Sequence, residues 1–221
     1  MDERNFLDDI DLAAQLRQPQ GESGIEIAAE LYSNNKHFIH TVIDVLQIED
    51  NENILEVGPG SALHVKYLFE KSQDIHYTAV DISETMVEMA KRVNDDLIKQ
   101  GKAGFYLGSS DSLPFDDNSF DKIFTVNTIY FFDEIEAHLK EIRRVLKPEG
   151  KICIGFMSKD YMRTLPFTNT GFIMYNPGDA IRMFEENGFK MGKSLNWKEK
   201  NFIPGSGHVT EKEYIILSAH K

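Results

Sequence analysis

The spacing of apolar positions changes repeatedly along the chain, and this change predicts an α/β fold. Between about residues 50 and 157, short apolar runs typical of buried strands alternate five times with stretches whose apolar residues recur at helical spacing. Such alternation predicts a parallel sheet with helices on both faces. Two more strands, near residues 190–197 and 213–219, follow with no helix between them. They predict a C-terminal hairpin with one antiparallel strand, which completes a doubly wound, seven-stranded sheet.

The first 49 residues predict a helical cap in front of the domain formed by residues 50–221. Helical spacing runs through residues 25–47, and the Asn34-Asn35 pair is expected to divide this stretch into two helices. Residues 158–176 are irregular and rich in aromatic and methionine side chains, which favours an insertion that covers a substrate. The alternative is a loop that buries its own apolar side chains. A short helix is also expected, over Ile10, Leu12, Ala13 and Leu16.

A strand that runs into a glycine-rich turn lies at Asn53–Ala62. Gly58 and Gly60 allow a sharp turn and the close approach of a ligand, and the helix that follows points free N–H groups toward it. This arrangement is typical of a nucleotide-type cofactor site. A dinucleotide fingerprint needs a third glycine where this chain has Leu63, so a dinucleotide-dependent reductase is disfavoured. A strand–turn–helix without a ligand remains an alternative.

A carboxylate follows the second predicted strand, at Asp81, 21 positions after Gly60. A carboxylate has two oxygens in a fixed fork and can accept hydrogen bonds from both hydroxyls of a ribose. This position therefore favours a cofactor that contains adenosine. The alternative is a helix-capping aspartate close to Ser83.

The net charge and the cysteine count limit the kinds of substrate and ligand that the protein is expected to bind. The formal net charge is −12 at pH 7 and no dense Lys/Arg run is present, so a nucleic-acid substrate is disfavoured. The single cysteine, Cys153, lies in an apolar run; it allows neither an intramolecular disulfide nor a cysteine cluster, and no metal site is predicted. No stretch reaches the length of a membrane span, and the acidic N-terminus does not resemble a signal peptide, so a cytoplasmic protein is expected.

Several segments, in a consistent order, resemble the motifs of class I S-adenosylmethionine (SAM)-dependent methyltransferases of the small-molecule, methyltransferase-11-like type. These segments are Glu56-x-Gly58-x-Gly60-x-Ala62, Asp111-Ser112-Leu113-Pro114-Phe115 with Ser119-Phe120-Asp121, the stretch 126–132, and Arg144-Val145-Leu146-Lys147-Pro148-Glu149-Gly150. The last segment departs from the family pattern at Glu149, where a glycine is usual. The resemblance covers about residues 50–157 and implies a Rossmann-like fold with SAM as the cofactor.

The resemblance also implies site residues. Those expected to bind the cofactor are Glu56, Gly58, Pro59, Gly60, Asp81, Ile82, Met86, Asp111, Ser112 and Asn127. In the family, the residue at Asp111 approaches the adenine amino group, and the position of Asn127 lines the site of methyl transfer. The acceptor is expected to be a small molecule, apolar or planar. Residues expected near it are Arg17, Tyr130, Phe131 and Tyr161, and Arg17 is also a candidate to close over the cofactor carboxylate.

The expected reaction transfers a methyl group from SAM to this acceptor. A general base is needed only if the acceptor atom carries a proton of high pKa, and none is assigned. The candidates for such a base are His37, His40, His208, Tyr130 and Tyr161. Two alternatives stay open: an aminopropyl transferase on the same fold, and a methyltransferase-like module that binds SAM without turnover.

Overall fold

A computed structural model describes residues 8–202 and 209–221. Its sheet has seven strands in the order β3-β2-β1-β4-β5-β7-β6, and β7 alone runs antiparallel to its neighbours β5 and β6. The predicted doubly wound sheet with one antiparallel strand is therefore confirmed. The strands are β1 Asn53–Val57, β2 His76–Asp81, β3 Ala103–Leu107, β4 Phe120–Val126, β5 Leu146–Met157, β6 Lys190–Phe202 and β7 Val209–His220.

Helices cover both faces of the sheet and precede it. They are α1 Asp9–Arg17, α2 Gly21–Leu46, α3 Val65–Lys71, α4 Glu84–Val93, α5 Asp95–Lys99, α6 Ile135–Val145, α7 Lys159–Met162 and α8 Pro177–Glu186. The helical stretch after β2 is interrupted at Asn94, whose buried side-chain amide donates to the carbonyls of Ala62 and Ala90. The helix that follows the glycine turn begins at Val65, because Ala62 still belongs to the turn with a φ of 52°.

The predicted break of the second helix is wrong, because α2 runs through Asn34 and Asn35 without interruption over 26 residues. Asn35 is buried, and the apolar positions continue past it at helical spacing. At 1.5 Å per residue, such a helix is about 39 Å long. Its last three turns pack on the sheet, where Phe38 stacks on Tyr214 with 4.2 Å between ring centroids. A Cβ on Gly155 of β5 would lie 2.5 Å from Val42, so only glycine permits this close packing.

The strand register brings three strand ends together. Val57, the last residue of β1, pairs with Val80 of β2 on one side and with Thr125 of β4 on the other. In an open parallel sheet, ligands bind at such carboxyl ends where the strand order reverses. The residues that follow each strand, which include Gly58, Asp81 and Asn127, therefore surround one cleft.

The segment Arg144–Gly150 lies at the opposite end of the sheet, where Leu146 at the start of β5 pairs with Phe120 at the start of β4. The Arg144 guanidinium donates to the carbonyls of Leu113 and Phe115 and pairs with Glu141 and Asp117, so it fixes the loop after β3. Glu149, where the family pattern has glycine, has a φ of 60°. That left-handed conformation explains why glycine is usual at this position.

Candidate cofactor and acceptor site

A cavity of about 450 Å³ lies at the carboxyl ends of β1, β2 and β4. This volume is typical of small-molecule pockets, which span about 300–1,000 Å³. Of the residues predicted for the site, those that line it are Arg17, Glu56, Gly58, Pro59, Gly60, Asp81, Ile82, Asp111, Asn127, Tyr130 and Phe131. Met86, Ser112 and Tyr161 do not. Met86 is fully buried in α4, and the Ser112 N–H donates to the Ser109 carbonyl 3.2 Å away.

The glycine turn forms the floor of the cavity. Gly58 and Gly60 have φ values of 69° and 54°, in the left-handed region that favours glycine. A Cβ on Gly58 would collide with the side chain of Thr128, whereas one on Gly60 would point into open space. Gly58 is therefore required by the packing of the protein, and Gly60 leaves room for a ligand.

Asp81 lies beside this turn with a buried carboxylate. One of its oxygens accepts from the Gly60 N–H at 3.1 Å, and the other accepts from the Ser83 N–H at 2.9 Å. Burial raises the pKa of Asp81 to about 6, although these two N–H groups act in the opposite direction. Each carboxylate oxygen can accept more than one hydrogen bond, so Asp81 can still accept hydrogen bonds from two ribose hydroxyls. The capping alternative holds in part, but Ser83 is itself the residue that caps α4.

A buried polar cluster lies under the turn. One carboxylate oxygen of Glu56 accepts hydrogen bonds from the Tyr77 hydroxyl and from Nε2 of His64, the latter at 2.8 Å. Burial and the nearby Glu56 raise the pKa of Tyr77, so its hydroxyl stays protonated. Glu56 and His64 also line the cavity. His64 was missed from the sequence, although it lies only four residues after Gly60, where ligand-facing side chains are expected.

Asn127 lies at the end of β4 and is held by two neighbours. Its backbone N–H donates to the Gly155 carbonyl at 2.8 Å, and its side-chain oxygen accepts from the Tyr130 hydroxyl at 3.1 Å. The Tyr130 oxygen in turn accepts from the Met157 N–H. Asn127 has a φ of 58°, a conformation that asparagine tolerates better than most residues. These contacts fix the amide at the edge of the cavity.

The loop after β3 supplies another wall. Ser109, Ser110 and Asp111 line the cavity there, and the Ser110 hydroxyl lies 2.7 Å from Nδ1 of His138. Phe132 stacks on the His138 ring with 4.2 Å between centroids. Burial lowers the pKa of His138, so the ring is neutral near pH 7. His138 and Ser110 were missed, because a histidine in a helix 28 residues downstream gives no local sign of this contact.

The connection between α1 and α2 crosses the mouth of the cavity. The Arg17 guanidinium forms an ion pair with Asp133, the side chain of Gln18 donates to the Ile82 carbonyl at 2.8 Å, and Ser83 donates to the Pro19 carbonyl. The segment therefore joins the β2 side of the cleft to the loop after β4. Arg17 lines the cavity, and its charge is paired with Asp133.

The candidate general bases differ in whether they line the cavity. Of those within the described residues, Tyr130 alone lines the cavity, and burial raises its pKa well above the usual range, so it does not serve as a base near pH 7. Tyr161, His37 and His40 lie outside the lining; His40 stacks on Tyr67 at 3.6 Å between ring centroids. His208 lies outside the described residues.

Comparisons with known proteins show the family to which the chain belongs. Residues 55–154 match the model of a family described as a methyltransferase domain. YrhH of Bacillus subtilis, named as a methyltransferase, is 30% identical over 140 residues, which cover 61% of this chain and 77% of that protein. The ubiquinone/menaquinone biosynthesis C-methyltransferase UbiE of Rickettsia bellii is 40% identical over 111 residues, 48% of this chain and 45% of UbiE.

Solved structures share the fold. A Haloferax volcanii structure of a methyltransferase with its activator Trm112 has a TM-score of 0.77 at 16% identity and covers 88% of this chain and 93% of that chain. A SAM-dependent methyltransferase from Aquifex aeolicus has a TM-score of 0.65 at 20% identity and covers 81% and 87%. The fold and the site define a class I SAM-dependent methyltransferase. The chain belongs to this methyltransferase family, and its cofactor is SAM.

The residues of the cavity fit that cofactor. The open space above Gly60 accepts a ligand close to the backbone, and the Asp81 fork suits a ribose diol. Asp111 stands across the cleft in the loop after β3, where the resemblance expects the adenine. Within the described residues, no helix is both long and apolar enough to cross a membrane.

Proposed function

We propose that this methyltransferase acts on a small molecule with an apolar or planar body. The observation that carries the proposal is an aromatic chamber beside Asn127. Phe172 lies 4.8 Å from Phe131, 5.9 Å from Tyr130 and 5.9 Å from Phe167 between ring centroids, and all four residues line the cavity. Aromatic faces in a concave pocket bind flat or apolar ligands.

The chamber is built from separate parts of the chain. Phe167 and Phe172 come from the connection between α7 and α8, and Tyr130 and Phe131 come from a short helix after β4. The Ile173 N–H donates to the Tyr130 carbonyl at 2.9 Å, which joins the two segments. Their aromatic rings pack against one another and line one side of the cavity, which supports the role of residues 158–176 as a substrate cover.

The bound cofactor supplies an electrophilic methyl group. The chain needs to hold the acceptor atom in line with that group and keep water out, and both tasks require orientation more than acid–base chemistry. The Tyr130 hydroxyl contributes by fixing Asn127, and the segment held by Arg17 and Asp133 contributes by covering the cleft. In this proposal no side chain of the chamber removes a proton.

The charge of the protein supports a small molecule over a nucleic acid. The net charge is −12, and Asp111, Asp133 and Glu134 line the cavity. Acidic groups at the mouth repel a phosphate backbone. A neutral aromatic compound meets no such barrier.

Label transfer tests the proposal. The protein is incubated with SAM that carries a radioactive methyl group, together with either a solvent-extracted small-molecule fraction of cells, total tRNA, or a protein fraction. We expect the label to enter the small-molecule fraction and partition into organic solvent. Asp81→Ala, which removes the expected ribose contact, is the matched inactive control. Label in tRNA or protein, dependent on Asp81, would overturn the small-molecule assignment.

A further inference from the structure

The cavity contains a buried amide that the interactions described so far do not use. Asn35 of α2 is 7% exposed and lines the cavity, and its side-chain oxygen has no hydrogen-bond partner among the described residues. A buried polar group without a partner destabilises the protein, so leucine at this site would give a better packed helix. The amide is therefore explained more naturally by a ligand than by the fold.

The course of α2 places Asn35 on the acceptor side of the cavity. The helix begins beside α4, where the Gly21 N–H donates to Thr85 at 3.2 Å. It passes the glycine turn at Tyr32, whose ring centroid lies 6.4 Å from that of His64. It then reaches the far strands, where Phe38 stacks on Tyr214 of β7. Asn35 lies between the last two points, beyond the turn. Tyr214 pairs with Met157 of β5, whose N–H donates to Tyr130 of the aromatic chamber, so this part of α2 lies on the chamber's side of the turn.

The neighbouring polar groups on this side already have partners. The side-chain oxygen of Asn127 accepts from Tyr130, and Nε2 of His64 is bonded to Glu56. The other lining residues of α2 near Asn35 include Leu31 and Ile39, which are apolar. A ligand that extends from the aromatic chamber toward α2 therefore meets the unpartnered amide oxygen of Asn35 in a mainly apolar wall, whose other polar side chain from this part of α2 is Tyr32.

We propose that Asn35 recognises the methyl acceptor, and that the acceptor is an aromatic or apolar alcohol whose hydroxyl bonds to this amide. This inference rests on the proposed small-molecule function. An amide offers both an acceptor oxygen and donor N–H groups, and a hydroxyl is the small group that satisfies both at once. The amide selects the acceptor, because a site built for a hydroxyl rejects the analogue that lacks it.

Two probes test this recognition on the full chain saturated with S-adenosylhomocysteine. The first is 2-naphthol, and the second is 2-methylnaphthalene, which has nearly the same shape but no hydroxyl. The variants are Asn35→Leu and the matched Asn34→Leu, whose side chain is exposed on the same helix. Asn35→Ala is a second variant in case leucine disturbs folding. Binding is followed by ligand-observed NMR titration, and folding by thermal melting.

We expect the wild type and Asn34→Leu to bind 2-naphthol about tenfold more tightly than 2-methylnaphthalene. Asn35→Leu and Asn35→Ala should bind the two probes about equally, while their affinity for S-adenosylhomocysteine stays within about twofold of the wild type. The melting temperature of Asn35→Leu should equal or exceed that of the wild type.

Two results would overturn the inference. One is a wild type with no preference for the alcohol. The other is an Asn35→Leu variant that keeps this preference. If that variant also loses affinity for S-adenosylhomocysteine, the amide belongs to the cofactor site. Neither result depends on where the methyl label goes. Label in tRNA or protein removes the small-molecule function itself, so the two failures are distinguishable.

Discussion

The two walls of the cavity differ in polarity and in the contacts that hold them in place. The sheet-edge wall, formed by Glu56, Gly58, Gly60, Asp81 and Asn127, contains polar groups that the protein itself orients through short hydrogen bonds. The cover, formed by residues 16–39 and 158–175, is mainly apolar where it faces the cavity. Its polar links to the body of the protein include the exposed Arg17–Asp133 pair. Hydrogen bonds within the fold hold the sheet-edge wall in place, whereas the cover packs over the cavity from other parts of the chain.

This difference agrees with the two binding tasks expected in a methyltransferase, which has to bind the cofactor and the acceptor. The cofactor is always SAM, so its wall can be rigid and polar. The acceptor differs between enzymes, and in our proposal the cover supplies its specificity without changing the sheet. The proposal that the acceptor is an apolar alcohol rests on the cover together with Tyr130 and Phe131. Substitutions in the two walls should therefore have separable effects.

The largest effect is expected from Gly58→Ala in the sheet-edge wall. A Cβ at this position has a strained φ of 69° and collides with Thr128, so the free energy of unfolding should fall by about 2–4 kcal/mol. Gly101→Ala is the matched control, because Gly101 has a φ of 70° with nothing within 4 Å. It should lose only about 1 kcal/mol. Equal losses in urea unfolding of the two variants would show that the turn is not tightly packed.

The next effect is expected from Asp81→Ala. The loss of two hydrogen bonds from ribose hydroxyls to a buried carboxylate should weaken S-adenosylhomocysteine about 10- to 100-fold in titration calorimetry. Asp96→Ala, at an exposed position on α5, should leave the affinity unchanged. Equal affinities of Asp81→Ala and the wild type would remove Asp81 from the site and contradict the polar role of this wall.

A pH dependence follows from the pKa of Asp81, which burial raises to about 6. The ionised carboxylate is the form that accepts hydroxyl hydrogen bonds, so cofactor affinity should be constant above this pKa and fall as the pH drops through it. A pKa of about 6 predicts roughly fourfold weaker binding of S-adenosylhomocysteine at pH 5.5 than at pH 8. Asp81→Asn, which cannot ionise, should show a flat profile. A profile that keeps its slope in this variant would assign the titration to another group.

The smallest effect is expected from the cover. Arg17→Ala removes an ion pair whose side chains are 38% and 68% exposed, so S-adenosylhomocysteine should bind only about two- to fivefold more weakly. High salt should reduce the difference by screening the pair. Arg182→Ala, which breaks a similarly exposed pair with Asp179 far from the cavity, is the control. A loss as large as that of Asp81→Ala would mean that Arg17 contacts the cofactor directly.

The sequence predicted the sheet-edge wall far better than the cover. Glu56, Gly58 and Gly60 lie in one short motif, and Asp81 follows the next strand, so local spacing is enough to find them. Asp111 and Asn127 follow strands that the alternating pattern already predicts. The topology of a parallel sheet then brings these residues together without any further information.

The cover could not be predicted in the same way, because its contacts join distant parts of the chain. Arg17 and Asp133 are 116 residues apart, and no spacing rule links them. The Asn34-Asn35 pair was interpreted as a helix break from its turn propensity, but burial of apolar residues of α2, such as Phe38 and Val42, keeps the helix continuous. A residue that looked like a signal for a turn is thus the candidate contact of the acceptor.

A crystal structure of the protein with S-adenosylhomocysteine tests most directly whether the sheet-edge wall binds the cofactor and the side of the aromatic chamber binds the acceptor. The account predicts that both ribose hydroxyls bond to Asp81 and that the sulfur atom faces the chamber of Tyr130, Phe131 and Phe172, within reach of an acceptor held beneath Asn35. A sulfur atom that points away from this chamber, toward Ser110 and His138, would contradict the account.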